Sequence, residues 1–82
     1  MADNNSDDWS AVLKKERESI NMSINTAAYR LNVDAWHLEQ MGKGRHKIKP
    51  PSLLLHALHL YQATIFTRIR AHRWIRAQYK EE

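Results

Sequence analysis

The sequence predicts an all-α fold of four to five helices. Three observations predict it. Apolar residues recur at helical spacing, as in Trp9, Val12 and Leu13 and again in Leu54, Leu55, Leu58 and Tyr61. Glycine and proline number two each, and both prolines fall together at Pro50-Pro51, so little interrupts a helical pattern. No window alternates apolar and polar residues as a half-buried strand does.

The elements follow in order. A first helix is expected from Asp8 to Ser19. Ser6 or Asp7 stands where a cap belongs, and Asp7 and Asp8 suit the positive end of the helix dipole. Trp9, Val12, Leu13 and Ile20 form its inner stripe. Asn21 tolerates positive φ and ends it. Ser23 then caps a short second helix, Ile24 to Leu31, with Ala27, Ala28 and Leu31 inward. Asn32 is a second left-handed candidate, Val33 plugs the turn, and Asp34 caps a third helix from Ala35 to Met41. Leu38 and Met41 are its inner residues, and Gly42-Lys43-Gly44 stops it. A loop leads to Pro51, suited to a first helical turn. Ser52 reads as a cap and opens a fourth helix with Leu54, Leu55, Leu58 and Tyr61 as its apolar face.

Beyond Tyr61 the stripe blurs. Ile65, Ile69, Trp74, Ile75 and Tyr79 surround the helix, interleaved with arginines. A helix with apolar groups on several sides needs several neighbours, and a second copy of so short a chain would supply them. The expected organisation is an acidic, disordered start over 1–7, a domain over 8–62, and a basic C-terminal helix over 63–82 that dimerises or adds DNA contacts.

Composition narrows the function. A chain of 82 residues holds one domain with a thin core. It has no cysteine, so disulfides and thiolate metal sites are excluded, in keeping with a reducing cytoplasm. Leu53–Leu55 is far short of the ~20 apolar residues that span a bilayer, and the acidic start is unlike a signal peptide. The formal charge is +4. Cations gather in Lys43, Arg45, Lys47 and Lys49 and in Arg68, Arg70, Arg73, Arg76 and Lys80. Two such clusters point to a polyanionic partner. His56 and His59 share a helix without a carboxylate or cysteine beside them, so no metal is expected. No nucleophile–base arrangement and no glycine-rich phosphate loop stands out. The chain is expected to be no enzyme and to need no cofactor, small-molecule ligand or membrane.

Residues 22–45 are the informative segment: a short helix, a tight turn and a second short helix. Ala28 is small where two helices cross closely, Asn32 accepts the turn's left-handed backbone, and Val33 and Leu38 bury beneath it. The outer face of the second helix is left free, with Ala35, Trp36, His37, Glu39, Gln40 and Lys43. In a helix-turn-helix this second helix enters the major groove.

From Leu13 to about Tyr61 the sequence resembles the Cro/cI (Xre-type) helix-turn-helix repressors, in a short phage-like form. A basic first helix, LKKERESINMS, precedes the small-x-x-Leu-x-Val turn of Ala28, Leu31, Asn32 and Val33. The second helix ends Leu38-Glu39-Gln40-Met41-Gly42-Lys43-Gly44-Arg45, and Ile48-Lys49-Pro50-Pro51 leads into Ser52-Leu53-Leu54-Leu55. The chain departs from that pattern in having Asn32 for the turn glycine, Ile24 where a phosphate-gripping Gln is usual, and Trp36 at a base-facing position.

The resemblance implies a lambda-repressor-like domain. Ala35, Trp36, His37 and Gln40 would face bases, Gln40 by bidentate pairing with adenine. Ser23, Asn25, Lys43, Arg45, His46 and Lys47 would hold phosphates. Beyond the stretch that resembles the family, the blurred apolar pattern makes Ile65, Phe66, Ile69 and Trp74 the expected dimer interface. The expected function is a sequence-specific double-stranded DNA-binding transcriptional regulator. It would be a homodimeric, autoregulatory repressor of a phage or mobile-element promoter, of the anti-CRISPR-associated type. It would read an inverted-repeat operator in the cytoplasm of a bacterial host, at the nucleoid. The alternative is a protein-interaction or inhibitor module on the same scaffold without DNA binding. Trp36, Ile24 and the aromatic, basic tail suit that alternative.

Overall fold

A computed structural model describes residues 6–80, and these form five helices with no strand among them. They are α1 (Ser6–Ser19), α2 (Ile24–Leu31), α3 (Ala35–Gly42), α4 (Ser52–Leu60) and α5 (Ile65–Lys80). None of the described helices is long and apolar enough to cross a membrane.

Three of the four connections are the same three-residue joint. Asn21, Asn32 and Gln62 each take a left-handed backbone, at φ 56°, 60° and 63°. An apolar residue follows each, Met22, Val33 or Ala63. Its N–H reaches back to the carbonyl five residues earlier, from Met22 to Arg17, Val33 to Ala28 and Ala63 to Leu58. The left-handed residue itself donates to the carbonyl three back, on Glu18, Tyr29 and His59. This is the Schellman closure, which satisfies carbonyls that a helix end leaves orphaned. The apolar residue is buried (Ala63) or packed against the core (Met22, Val33). The third residue of each joint, Ser23, Asp34 or Thr64, accepts a backbone N–H three residues ahead. That is N-capping of the next helix. Arg17 Nη1 also donates to the Met22 carbonyl at 2.8 Å, tying the first joint to α1.

The expected left-handed roles of Asn21 and Asn32 and the caps Ser23 and Asp34 are thus observed. Two other expected caps fall elsewhere. Helix α1 already includes Ser6, so the residue before it lies outside the described residues. Helix α4 begins at Ser52 itself, with Pro51 at the cap position and no side-chain cap hydrogen bond.

The fourth connection is longer. Gly44, at φ 78°, ends α3 by the same closure, with Arg45 N–H on the Gln40 carbonyl and Gly44 N–H on Met41. The chain then runs out over Arg45–Pro51, anchored by the buried side chain of Ile48.

The core lies where α1, α2, α3 and α4 meet, around Leu13, Ala27, Ala28, Leu38, Met41 and Leu54. Ala28 is 4% exposed and lets α2 and α3 approach closely. On α4 the inward face is Leu53, Leu54, Ala57 and Leu58, with Leu55 only half-buried. Helix α5 packs on α4 and lends Ala71 and Ile75 to the same core. The blurred stripe therefore resolves into two faces. Ala71, Trp74 and Ile75 look inward, while Ile65, Phe66 and Ile69 look out. Residues on both sides of position 62 contribute to this core.

Tyr61 closes α4 at 2% exposure. Burial pushes its phenol above the ordinary 10.0, and the Arg17 guanidinium opposes part of that rise.

Two outcomes follow. Gln62 is the bulkiest side chain held at positive φ, where a β-carbon costs roughly 1–2 kcal/mol. Gln62→Gly should raise stability by about 1 kcal/mol and the melting temperature by roughly 4–8 °C in a thermal unfolding scan. For Tyr61 the folded state favours the neutral phenol, so its contribution is complete below pH 10 and declines as pH rises further. Urea titrations of wild type and Tyr61→Phe should therefore differ by a constant amount up to that pH. Above it, wild type should lose stability relative to the variant.

Candidate nucleic-acid interface

Helix α3 is only eight residues long, so its placement depends on its ends. At the start, Asp34 is extended and its Oδ2 accepts the His37 N–H at 3.0 Å. Inward, Leu38 and Met41 are buried and Ala35 is half-buried against the core. Outward, Trp36 is 59% exposed, with His37 and Glu39 half-buried beside it.

The chain after Gly44 turns back along this face. The His46 ring lies 5.2 Å from the Trp36 ring, edge to face, and 4.9 Å from the His37 ring. Trp36 and His37 rings are 6.5 Å apart. Three rings thus hold the 45–49 loop against the first turn of α3, in the edge-to-face and tilted geometries that aromatic quadrupoles favour. Because Ile48 points into the core, its neighbours Lys47 and Lys49 project into solvent, as does Arg45. The result is one surface with an exposed indole at its centre and cations along its edge.

Its electrostatics are one-sided. From Gln40 to Lys80 the sequence contains no Asp or Glu. The two carboxylates on α3 or at its cap are occupied locally: Asp34 caps, and Glu39 Oε2 sits 3.3 Å from Lys43 Nζ. That i,i+4 pair is exposed and worth little, so a phosphate can compete for Lys43.

The structure sorts the expected site residues. Trp36, His37, Arg45, His46 and Lys47 come together as described, and Lys43 lies at the C-cap of α3, nearly two turns from Trp36. Gln40 does not join them. It is 8% exposed, which leaves little of its amide at the surface for the expected pairing with adenine. A helical wheel sets it opposite Leu38, hence on the outer face. The Gln40 carbonyl accepts the Arg45 N–H where the chain turns back at the end of α3. Ala35 is turned partly inward. The Ser23 hydroxyl accepts the Thr26 N–H and donates to Thr26 Oγ1, so it is already spent within α2. Asn25 is exposed on the first turn of α2.

On α5, Ile65, Phe66 and Ile69 are exposed. Trp74, expected between two chains, instead packs on its own chain's Trp9 at 6.5 Å between rings, and the Arg70 guanidinium lies 5.4 Å over Trp9. Sequence reasoning missed two things: the ring cluster that joins His46 to α3, and the Trp9–Trp74–Arg70 group. Only the latter left a signal, the i,i+4 spacing of Arg70 and Trp74 on one helical face.

No family model, curated protein or solved structure matches the chain.

Trp36 and Gln40 should separate cleanly by stability. Trp36→Ala, which removes the edge-to-face contact with His46, should cost about 0.5–1 kcal/mol of unfolding free energy. Gln40→Glu puts a carboxylate into a nearly closed site and should cost about 2 kcal/mol in denaturant unfolding.

Proposed function

We propose that the chain is a sequence-specific double-stranded DNA-binding protein that regulates transcription by occupying promoter DNA. In this reading α2, the Asn32 joint and α3 form a helix-turn-helix of the kind the Cro/cI resemblance implies, and the first turn of α3 enters the major groove.

The observation that carries the reading is the Trp36–His46 contact at 5.2 Å. It sets the groups suited to bases and the groups suited to phosphates on one face. Trp36 supplies an apolar plane for a thymine methyl, and His37 a hydrogen-bonding edge. Arg45, Lys47 and Lys49 flank them as phosphate ligands, which fix register without reading sequence. Lys43 joins them when it leaves Glu39. Gln40, being buried, has no part, and His46 serves as a ring support instead of a primary phosphate ligand. The absence of carboxylates from residue 40 to residue 80 removes the repulsion that phosphate would otherwise meet.

The test is selection from random duplexes at near-physiological salt. A preferred motif should emerge. Arg45→Ala and Lys47→Ala should weaken binding to all sequences, each lowering the log–log salt slope by about 0.9. Trp36→Ala should relax preference at one position, by up to the roughly 1–3 kcal/mol that one mismatched base pair costs. If no duplex is preferred, or if none of the three substitutions changes affinity, the proposal fails.

A further inference from the structure

A second surface shares no residue with the one above. Between α4 and α5 runs an open trough of about 410 Å³. Leu55, Ile65 and Ile69 supply its apolar lining, with His59, Arg68 and His72 among them. Its apolar character continues onto the surface. Ile65 is 56% exposed, Ile69 47% and Phe66 76%. These three occupy neighbouring positions on successive turns of α5. An apolar patch of this kind, rimmed by polar groups, marks an interaction site.

We infer that this trough docks an acidic amphipathic helix of another protein. Charge selects the occupant. Residues 52–80 contain no Asp or Glu, whereas α5 carries Arg68, Arg73 and Arg76 besides the Arg70 that lies over Trp9. A second copy of the chain would set these cations against their own equivalents, with no carboxylate on either face. A phosphate backbone would satisfy the cations but leave Ile65, Phe66 and Ile69 against water. A helix with an apolar stripe and flanking carboxylates satisfies both, by the helix-in-groove mode of recognition.

Arg68 is the group that would read the acid. Its Nη1 lies 3.2 Å from His59 Nδ1. A guanidinium only donates, so Nδ1 is the acceptor in this contact. The Arg68 Nε is buried and has no hydrogen-bond partner among the described residues. The arginine is thus held by His59 through Nη1, and among the described residues nothing accepts from its Nη2, the donor left for a carboxylate at the trough.

The experiment uses the full chain as bait for displayed libraries of short helical peptides. Each has a randomised apolar stripe, flanked by Glu in one library, by Gln in a second and by Lys in a third. Enrichment is expected from the Glu library alone. Selected peptides, measured by fluorescence anisotropy, should bind Arg68→Gln and Ile69→Ser roughly tenfold or more weakly, the loss of a charge-assisted pair or an apolar anchor. Neither substitution should alter DNA affinity, so this inference and the DNA-binding proposal fail separately. Should Arg68→Gln not fold, Ile69→Ser decides. The inference is overturned by no enrichment, by equal enrichment of the Gln or Lys libraries, or by undiminished peptide binding to both variants. Sedimentation showing a dimer that Ile69→Ser disperses would also overturn it, since a second copy would then fill the trough.

Discussion

The fold depends on one repeated device: a left-handed residue, an apolar residue and a capping residue in sequence. A helix end leaves four carbonyls unpaired and a helix start four N–H groups, and burying either uncompensated is costly. The three-residue joint answers both within the shortest possible span. Its first residue closes the preceding helix, its second drives into the core, and its third opens the next helix. Asn21-Met22-Ser23, Asn32-Val33-Asp34 and Gln62-Ala63-Thr64 all do this, with no glycine among them. Joints this short allow little relative motion. That is how an 82-residue chain with a thin core holds five helices in register.

The candidate DNA-binding surface inherits its geometry from two such closures. Asn32 sets the angle at which α3 leaves α2, and Ala28 lets the two approach. Gly44 turns the chain back at the other end of α3. Ile48 then acts as an anchor, because burying one apolar residue forces its neighbours Lys47 and Lys49 outward. The Trp36, His37 and His46 rings complete the arrangement by fixing the loop over the first turn of α3. Cations and an exposed indole are therefore positioned by core packing, with the ring contacts fixing the loop beside α3.

Helix α5 divides its residues between two tasks. Ala71 and Ile75 join the core, and Trp74 meets Trp9 under the Arg70 guanidinium. The first turns carry Ile65, Phe66 and Ile69 outward beside a trough edged by Arg68 and three histidines. One helix thus stabilises the domain with its C-terminal half and presents a surface with its N-terminal half. This division explains why its apolar residues follow no single stripe.

The helical class, four interior helix boundaries and most of the core were readable from the sequence. The left-handed Asn residues, the caps Ser23 and Asp34, and the inward Ala27, Ala28, Leu38 and Met41 are local features. Hydrogen bonds to neighbouring backbone and helical periodicity determine them, and both are written in consecutive residues. Other outcomes depended on chain segments that meet only after folding. Periodicity assigned Gln40 to the outer face, yet it is buried. It gave no reason to expect His46 against Trp36, nor Trp74 against Trp9. It also left α5 ambiguous, because the inward pair relies on Ala71, too small to register as part of a stripe. Local hydrogen bonding and period determine which residues form helices and where those helices end. Which side of each helix another segment covers is decided by packing between distant parts of the chain, and no short window of sequence encodes it.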